Sequence, residues 1–285
     1  MRCPVLAVVF GLLLSAGSVL AQSPAPSPSP LAAGAAHFSI YQGDKVAGSA
    51  DRTIAATAHG YSITSQGKIS LSKFSYSYTD TQHIDRALNL VHDQLDGTVN
   101  GKAVSFSAQA DSSGRQFQIT IHAEGKNTQN TVDRHQHMAL LPDLDPAAYT
   151  LMVQIGAENP RTSWILIPKD QGLLVPSTYT RDGSVRGRMH GAQVDVQHLT
   201  VTVGEQNPIS VELYYGSDSD LLEADLPEQN FFVVRDGFKL IDRPKPTPPR
   251  GTAPPAQTSQ QSQNSAQQVP QYPAPQGGYP KMQPQ

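Results

Sequence analysis

The chain has a single cysteine among 285 residues, and it stands at position 3. Everything after Cys3 is without a thiol, which excludes disulfides, thiolate chemistry and cysteine-based zinc sites from the body of the protein. Charge is sparse too: 16% of residues are Asp, Glu, Lys or Arg, and the formal net charge is −3. No basic patch interleaved with aromatics occurs, which argues against nucleic acid as a partner. There is no Lys/Arg-rich amphipathic stretch of the kind that lies on membrane surfaces. The Gly-x-Ser-x-Gly elbow of serine hydrolases is missing. Gly183-Ser-Val-Arg-Gly187 has neither the lysine nor the following helix of a phosphate cradle. No Asp-x-Asp-x-Asp-Gly calcium loop is present.

What is present begins with an export signal. Arg2 precedes the apolar run Val5 to Leu14, which is too short to span a bilayer core of ~30 Å. Val19-Leu20-Ala21 ends the run in the manner a signal peptidase reads, so residues 1–21 are read as a signal peptide cleaved before Gln22. No cysteine follows for lipid attachment. The expected location is periplasmic or secreted, with no transmembrane segment after cleavage. Residues 22–36 read as a Pro/Ser/Ala linker, and residues 243–285 as a disordered Pro/Gln-rich tail with too few aliphatic side chains to offset the entropy of folding.

Between them, residues 37–242 alternate apolar and polar positions with period two, as in Phe38/Ile40, Tyr61/Ile63, Val104/Phe106/Ala108, Phe117/Ile119/Ile121 and Val211/Leu213/Tyr215. This is the pattern of antiparallel strands with one buried and one wet face. Asp96-Gly97, Asn100-Gly101, Ser113-Gly114, Asp182-Gly183 and Asp236-Gly237 read as tight turns. The apolar parity switches between Ile69/Leu71 and Phe74/Tyr76/Tyr78, and again between Val194/Val196 and Leu199/Val201/Val203. β-Bulges are therefore predicted near Lys73 and near Gln197-His198. One helix is predicted over residues 146–155: Asp145 caps it, Pro146 starts it, Ala148, Leu151, Met152 and Ile155 form one apolar stripe, and Gly156 ends it. The fold class expected is mainly β: a curved antiparallel sheet, a half-barrel, with one central helix.

Asp96-Gly-Thr-Val-Asn-Gly-Lys102 echoes Asp182-Gly-Ser-Val-Arg-Gly-Arg188. Either hairpin turns reuse the same residues for the same backbone reasons, or the chain holds two meander halves, 37–125 and 162–242, joined by the helix. The opening Phe38-Ser-Ile-Tyr-Gln-Gly43 strand, the Leu140-Leu-Pro-Asp-Leu144 and Tyr149-Thr-Leu151 approach to the helix, and the late Val211-Glu-Leu-Tyr-Tyr215 and Leu221-Leu-Glu-Ala-Asp225 strands resemble uncharacterised bacterial envelope domains. Those domains are similar in turn to the LolA/LolB lipoprotein-carrier half-barrels. The resemblance implies a curved sheet that wraps a helix and shelters acyl chains.

Candidate chemistry is thin. His135-x-His137 offers two metal ligands, which His122, Asp133, His190 or His198 would have to complete; nothing in the spacing requires that, and the histidines read as solvated loop residues. Asp93/Asp96, Asp143/Asp145 and Asp218/Asp220 are paired carboxylates, the second pair explained by helix capping and the third by loop chemistry. No catalytic residue, metal or cofactor is assigned. Phe74, Tyr76 and Tyr78 share one face, and with Leu151 and Met152 of the helix stripe they are the candidate ligand-binding residues. Such a row is more often plain core. The function expected is that of an exported, non-enzymatic envelope protein that binds a hydrophobic or lipid-like ligand, or another envelope protein, in the concave sheet. Two alternatives stand beside it: an assembly factor acting through its tail, and an envelope hydrolase built on converging His and Asp residues.

Overall fold

Period-two alternation becomes strands almost wherever it occurs. The computed structural model describes residues 31–141, 144–168, 172–205 and 208–244. The signal peptide, residues 22–30 of the linker, Asp143 and the tail from residue 245 lie outside the described residues. Eight strands run in sequence as a meander: β1 (Gly34–Gln42), β2 (Lys45–Ala56), β3 (Gly60–Leu71), β4 (Phe74–Asp85), β5 (Leu90–Val99), β6 (Lys102–Ala110), β7 (Gln116–Ala123) and β8 (Lys126–Asp133). A short β9 (Met138–Leu140) and the helix α1 (Pro146–Glu158) follow. The second meander comprises β10 (Ser163–Ile167), β11 (Leu173–Met189), β12 (Ala192–Val203), β13 (Ile209–Tyr215), β14 (Leu221–Leu226), β15 (Phe231–Arg235) and β16 (Phe238–Leu240).

The strands make a single curved sheet that does not close. Its order is β8-β7-β6-β5-β4-β3-β2-β1-β15-β14-β13-β12-β11-β10-β9, with β16 paired to β11. The pairing of β1 with β15 fuses the two meanders. The β9–β10 pair is parallel, while the other neighbours are antiparallel. Curvature brings the sheet's far ends face to face: Met138, Leu140 and Leu166 from β9 and β10 pack on Phe106, Phe117 and Ile119 from β6 and β7. Gly67 and Gly97 flank Tyr78 on the neighbouring strands. A Cβ at Gly67 would lie 2.5 Å from the Tyr78 ring, so glycine there lets the aromatic lie across its neighbour, a device of curved sheets.

The helix fills the concavity. It touches β2 and β3 of the first meander and β11, β12, β13 and β14 of the second. Asp145 caps it as expected, accepting from the Ala147 N–H at 2.9 Å, with Pro146 in the first turn. Two expectations change. Residues 146–156 are all buried, so no single stripe faces the core; the helix is wrapped by sheet all round. Gly156 does not end it. The helix continues to Glu158 and stops at Asn159 in the left-handed region, φ 53°. Gly156 is there because a methyl group would run into Leu199 and Tyr179. Arg181 donates to the carbonyls of Gly156 and Ala157, neutralising the negative end of the helix.

Both predicted bulges are corrected. Near Lys73 there is a two-residue hairpin, with Leu71 paired to Phe74 and Ile69 to Tyr76. Cross-strand partners share a face, so the parity switch is simply the turn. Strand β12 is regular against β13. Its parity switches because it buries opposite faces along its length: Leu199, Val201 and Val203 against the main core, Val196 against a second small core with Tyr214, Leu222 and Phe238. The irregularity lies in β11 instead, where Asp182 is the extra residue between Arg181, opposite Leu199, and Gly183, opposite His198.

The two copies of the internal echo sit differently in the sheet. Asp96-Gly97 lies inside β5 and Asn100-Gly101 is the turn to β6, whereas Asp182-Gly183 lies inside β11, far from its turn at His190-Gly191. Asn100-Gly101, Ser113-Gly114 and Asp236-Gly237 do turn. The folded chain is longer than 37–242 at both ends: Leu31 is buried, β1 begins at Gly34, and Arg243 pairs with Glu223 and Asp225 and lies over the Phe232 ring at 4.9 Å. Among the described residues, no helix is long and apolar enough to cross a membrane.

Candidate functional site

Polar residues interrupt the concave face where the first turn of α1 sits on it. In the sheet register, Arg52 stands opposite Ser65, Ser65 opposite Asp80, and Gln82 opposite Asp93. All five are buried. They meet Asp145 and Thr150 of the helix. Ser65 donates to Asp145, Arg52 donates to Thr150 Oγ1 at 2.7 Å, and the Tyr78 hydroxyl donates to the Leu144 carbonyl at 3.1 Å. Arg52 also reaches Asp220 at 2.7 Å, and Asp220 takes Arg235 as well. The strip separates the core around α1 from the smaller core formed by β5 to β7 with β9 and β10.

This seat is short of donors. Asp80, Asp93 and Asp145 are each 0% exposed. Gln82 donates to Asp80 Oδ2 at 2.9 Å, leaving its own Oε1 without a partner. If the three carboxyls were all ionised, neither oxygen of Asp93, nor Oδ1 of Asp80, nor Oδ2 of Asp145 would accept a hydrogen bond. Burial, then the charges of Asp93 and Asp145, push the Asp80 carboxyl well above its ordinary range. Burial and the charge of Asp145 do the same to Asp93. Burial raises Asp145 as well, with Asp80, Ser65 and the first backbone amides of α1 pulling the other way. A proton on Asp80 makes it a donor to its neighbours and relieves the shortage. The cluster is sealed from solvent, so it cannot reach a substrate as a general acid or base without motion of the helix.

A second polar cluster lies on the outer face, where donors are plentiful. The bulge in β11 places both Asp182 and Gly183 on the side of His198. His198 Nε2 and Glu212 Oε2 are 2.6 Å apart, and His198 Nδ1 lies 3.8 Å from Asp182 Oδ2. The Thr200 hydroxyl is 2.5 Å from Asp182 Oδ2 and 2.8 Å from Glu212 Oε2. The His198 ring stacks on Tyr214 at 4.7 Å, nearly parallel. Burial works to raise the Glu212 carboxyl, but hydrogen bonds from His198 and Thr200 and the nearby imidazole charge together hold it below its usual value.

The structure brings four of the five sequence-predicted ligand residues together: Tyr76, Tyr78, Leu151 and Met152 belong to the core around α1. Tyr76 and Tyr78 stack at 5.1 Å. Phe74 stands at the rim, 36% exposed. The paired carboxylates separate. Asp93 is buried while Asp96 is exposed on the opposite face, and Asp218 caps its own loop while Asp220 holds two arginines. The histidines scatter: His122 bonds Asn127, His135 stacks on Trp164 and His137 meets Glu158. His198 alone of the histidines singled out joins two carboxylates in a buried setting. A shallow depression of about 400 Å³ on the outer face is lined by polar side chains such as Asp51, Gln66, Lys68 and Asp96.

Sequence reasoning missed Asp80, Gln82 and Arg52 because nothing local marks them. The usable signal was Asp80 and Gln82 continuing the inward parity of Tyr76 and Tyr78 along β4. No protein-family model matches the chain, and no curated protein does. Among solved structures, the chain is similar to a beta-barrel-like protein of a domain of unknown function, DUF1849, from Brucella abortus. That comparison has a TM-score of 0.46 and 10% identity, and covers 73% of this chain and 97% of that chain.

Proposed function

We propose that this is an exported, non-enzymatic protein of the bacterial envelope that takes a hydrophobic, lipid-like ligand into the groove α1 fills, with α1 as a displaceable plug. The observation that carries the reading is the seat under the first turn of the helix. Native interfaces rarely leave buried polar atoms unpaired, yet the contact between α1 and the sheet buries three carboxyls that pair with one another only by holding protons, and it leaves Gln82 Oε1 without a partner. Lifting the helix hydrates those groups, and that gain offsets part of the cost of exposing its apolar surface. The groove so vacated is walled by Ile63, Tyr76, Tyr78, Leu199 and Val201, a surface suited to an acyl chain. The sequence's resemblance to envelope domains that are similar to LolA/LolB half-barrels supports lipid handling, and the signal-like residues 1–21 support export. Phe74 at the rim is a first contact for an incoming chain.

Leu151 and Met152 are fully buried, and that filling favours a second reading, a static assembly factor whose partner binds elsewhere. The test is native mass spectrometry with organic extraction on the full chain purified from the periplasm of an expression host, followed by titration with oleate and hydrogen exchange. The plug reading expects oleate to bind and the amides of α1 to exchange faster when it does. An apo mass with no oleate uptake contradicts it and leaves the assembly reading. Oleate uptake with unchanged protection of α1 contradicts displacement.

A further inference from the structure

The outer cluster is built from three adjacent strands. Asp182 comes from β11, His198 from β12 and Glu212 from β13. One nitrogen of His198 and one carboxylate oxygen from each acid lie within 4.8 Å of one another. Three protein ligands with one position left open is the pattern of a zinc site accessible to solvent. The Asp182 side chain is 31% exposed, so the site is reached from that side, while His198 and Glu212 are held in the sheet.

Three further features point the same way. The bulge adds Asp182 to a face that would otherwise show only alternate residues of β11. Gly183, opposite His198, has open space where a Cβ would stand, which leaves room beside the imidazole. Thr200 touches both carboxylates, and Tyr214 stacks on the imidazole. Such neighbours orient ligands in advance of the ion. An imidazole beside two carboxylates suits a borderline divalent ion and discriminates against Ca²⁺ and Mg²⁺, which prefer oxygen alone.

We propose that Asp182, His198 and Glu212 bind a divalent first-row transition-metal ion on the outer face of the sheet. The site is independent of the ligand groove, since it lies on the opposite face from α1. The ion bridges β11, β12 and β13 and braces the bulge whose other flank, Arg181, caps the helix.

The test is calorimetric titration of ZnCl₂ into the untagged full chain after dialysis against chelator, with thermal melts alongside. One-site binding is expected, with a rise in Tm of roughly 5–10 °C when free Zn²⁺ exceeds Kd about a hundredfold. Asp182→Asn, an exposed isosteric change, is expected to leave the metal-free Tm unchanged and weaken binding at least about tenfold. His198→Gln removes the nitrogen ligand and is expected to abolish binding. A His135→Ala/His137→Ala double variant is expected to bind as the parent does. Absence of Zn²⁺ binding, affinity unchanged in Asp182→Asn, or equal affinity for Ca²⁺ would each overturn the proposal.

Discussion

The two polar clusters use the same carboxylate chemistry to opposite effect. Under α1, Asp80, Asp93 and Asp145 face one another and are pushed toward the protonated form by burial and mutual charge. On the outer face, Glu212 is buried too, yet His198 and Thr200 hold it ionised. Burial alone does not decide the outcome; the supply of donors does. The inner cluster destabilises the contact between helix and sheet when ionised, and the outer one ties three strands together. On the plug proposal, the first belongs at an interface that opens and the second at one that stays shut.

Among the described residues Arg52 is the cation of the inner seat, and losing it should cost the most. Arg52→Ala leaves Asp220 partly unpaired and Thr150 without its donor, and should cost about 3–5 kcal/mol in chemical denaturation. If the loss is below 1 kcal/mol, on the order of a surface pair, Arg52 is not holding the seat together. Gly156→Ala comes next. Helix propensity alone would make it stabilising by roughly 1 kcal/mol. The collision with Leu199 and Tyr179 should reverse the sign and cost about 1–3 kcal/mol. A stabilised variant would mean that the helix sits less tightly than the packing shows.

The sharpest contrast between the clusters comes from neutral isosteres. Asp93→Asn should stabilise the protein at pH 8 by about 1 kcal/mol or more, because a carboxyl that burial holds well above its ordinary range costs stability at that pH and an amide does not. Glu212→Gln should destabilise it by about 1 kcal/mol, the value of a lost hydrogen bond. Equal signs for the two changes would mean that donor supply does not distinguish the two clusters. The pH dependence follows by linkage. The inner carboxyls have raised pKa values in the folded state, so the native protein binds more protons there than the unfolded chain. Their contribution is most favourable below the ordinary carboxylate pKa of about 3.9 and is lost as pH rises through the folded values. Glu212, held low, contributes in the opposite sense: its stabilisation is present above about 4.5 and is lost as pH falls through its folded value. Denaturation curves across pH for Asp93→Asn and Glu212→Gln should therefore show shallower slopes of opposite sign relative to the parent.

Much of the fold was legible because it rests on local rules. Alternation marked strands, Asn100-Gly101 and Ser113-Gly114 marked hairpins, and Asp145-Pro146 marked the start of the helix. What misled was context. Asp-Gly means a turn when strands reverse, yet at Asp96 it sits in mid-strand beside Tyr78, and at Asp182 it makes a bulge. A parity switch reads the same whether it comes from a bulge, a hairpin or a strand buried on different faces at its two ends, and β12 is the last of these. The site was harder still. Asp93 was weighed with Asp96, its neighbour in sequence, while its partners in space are Asp80 and Asp145 from other elements. His198 was one of several histidines until register placed Glu212 and Asp182 beside it.

Native-state hydrogen exchange of the α1 amides at pH 5 and pH 8 decides whether α1 is a plug whose seat loosens as its carboxyls ionise. Opening free energies, corrected for intrinsic exchange, should match those of β1 to β4 at pH 5. At pH 8 they should fall below the strands by at least about 1 kcal/mol, as expected of a unit that opens by itself. Asp93→Asn should narrow the gap. Protection of α1 equal to that of the strands at both pH values would mean that the helix is a fixed part of the core and not a plug.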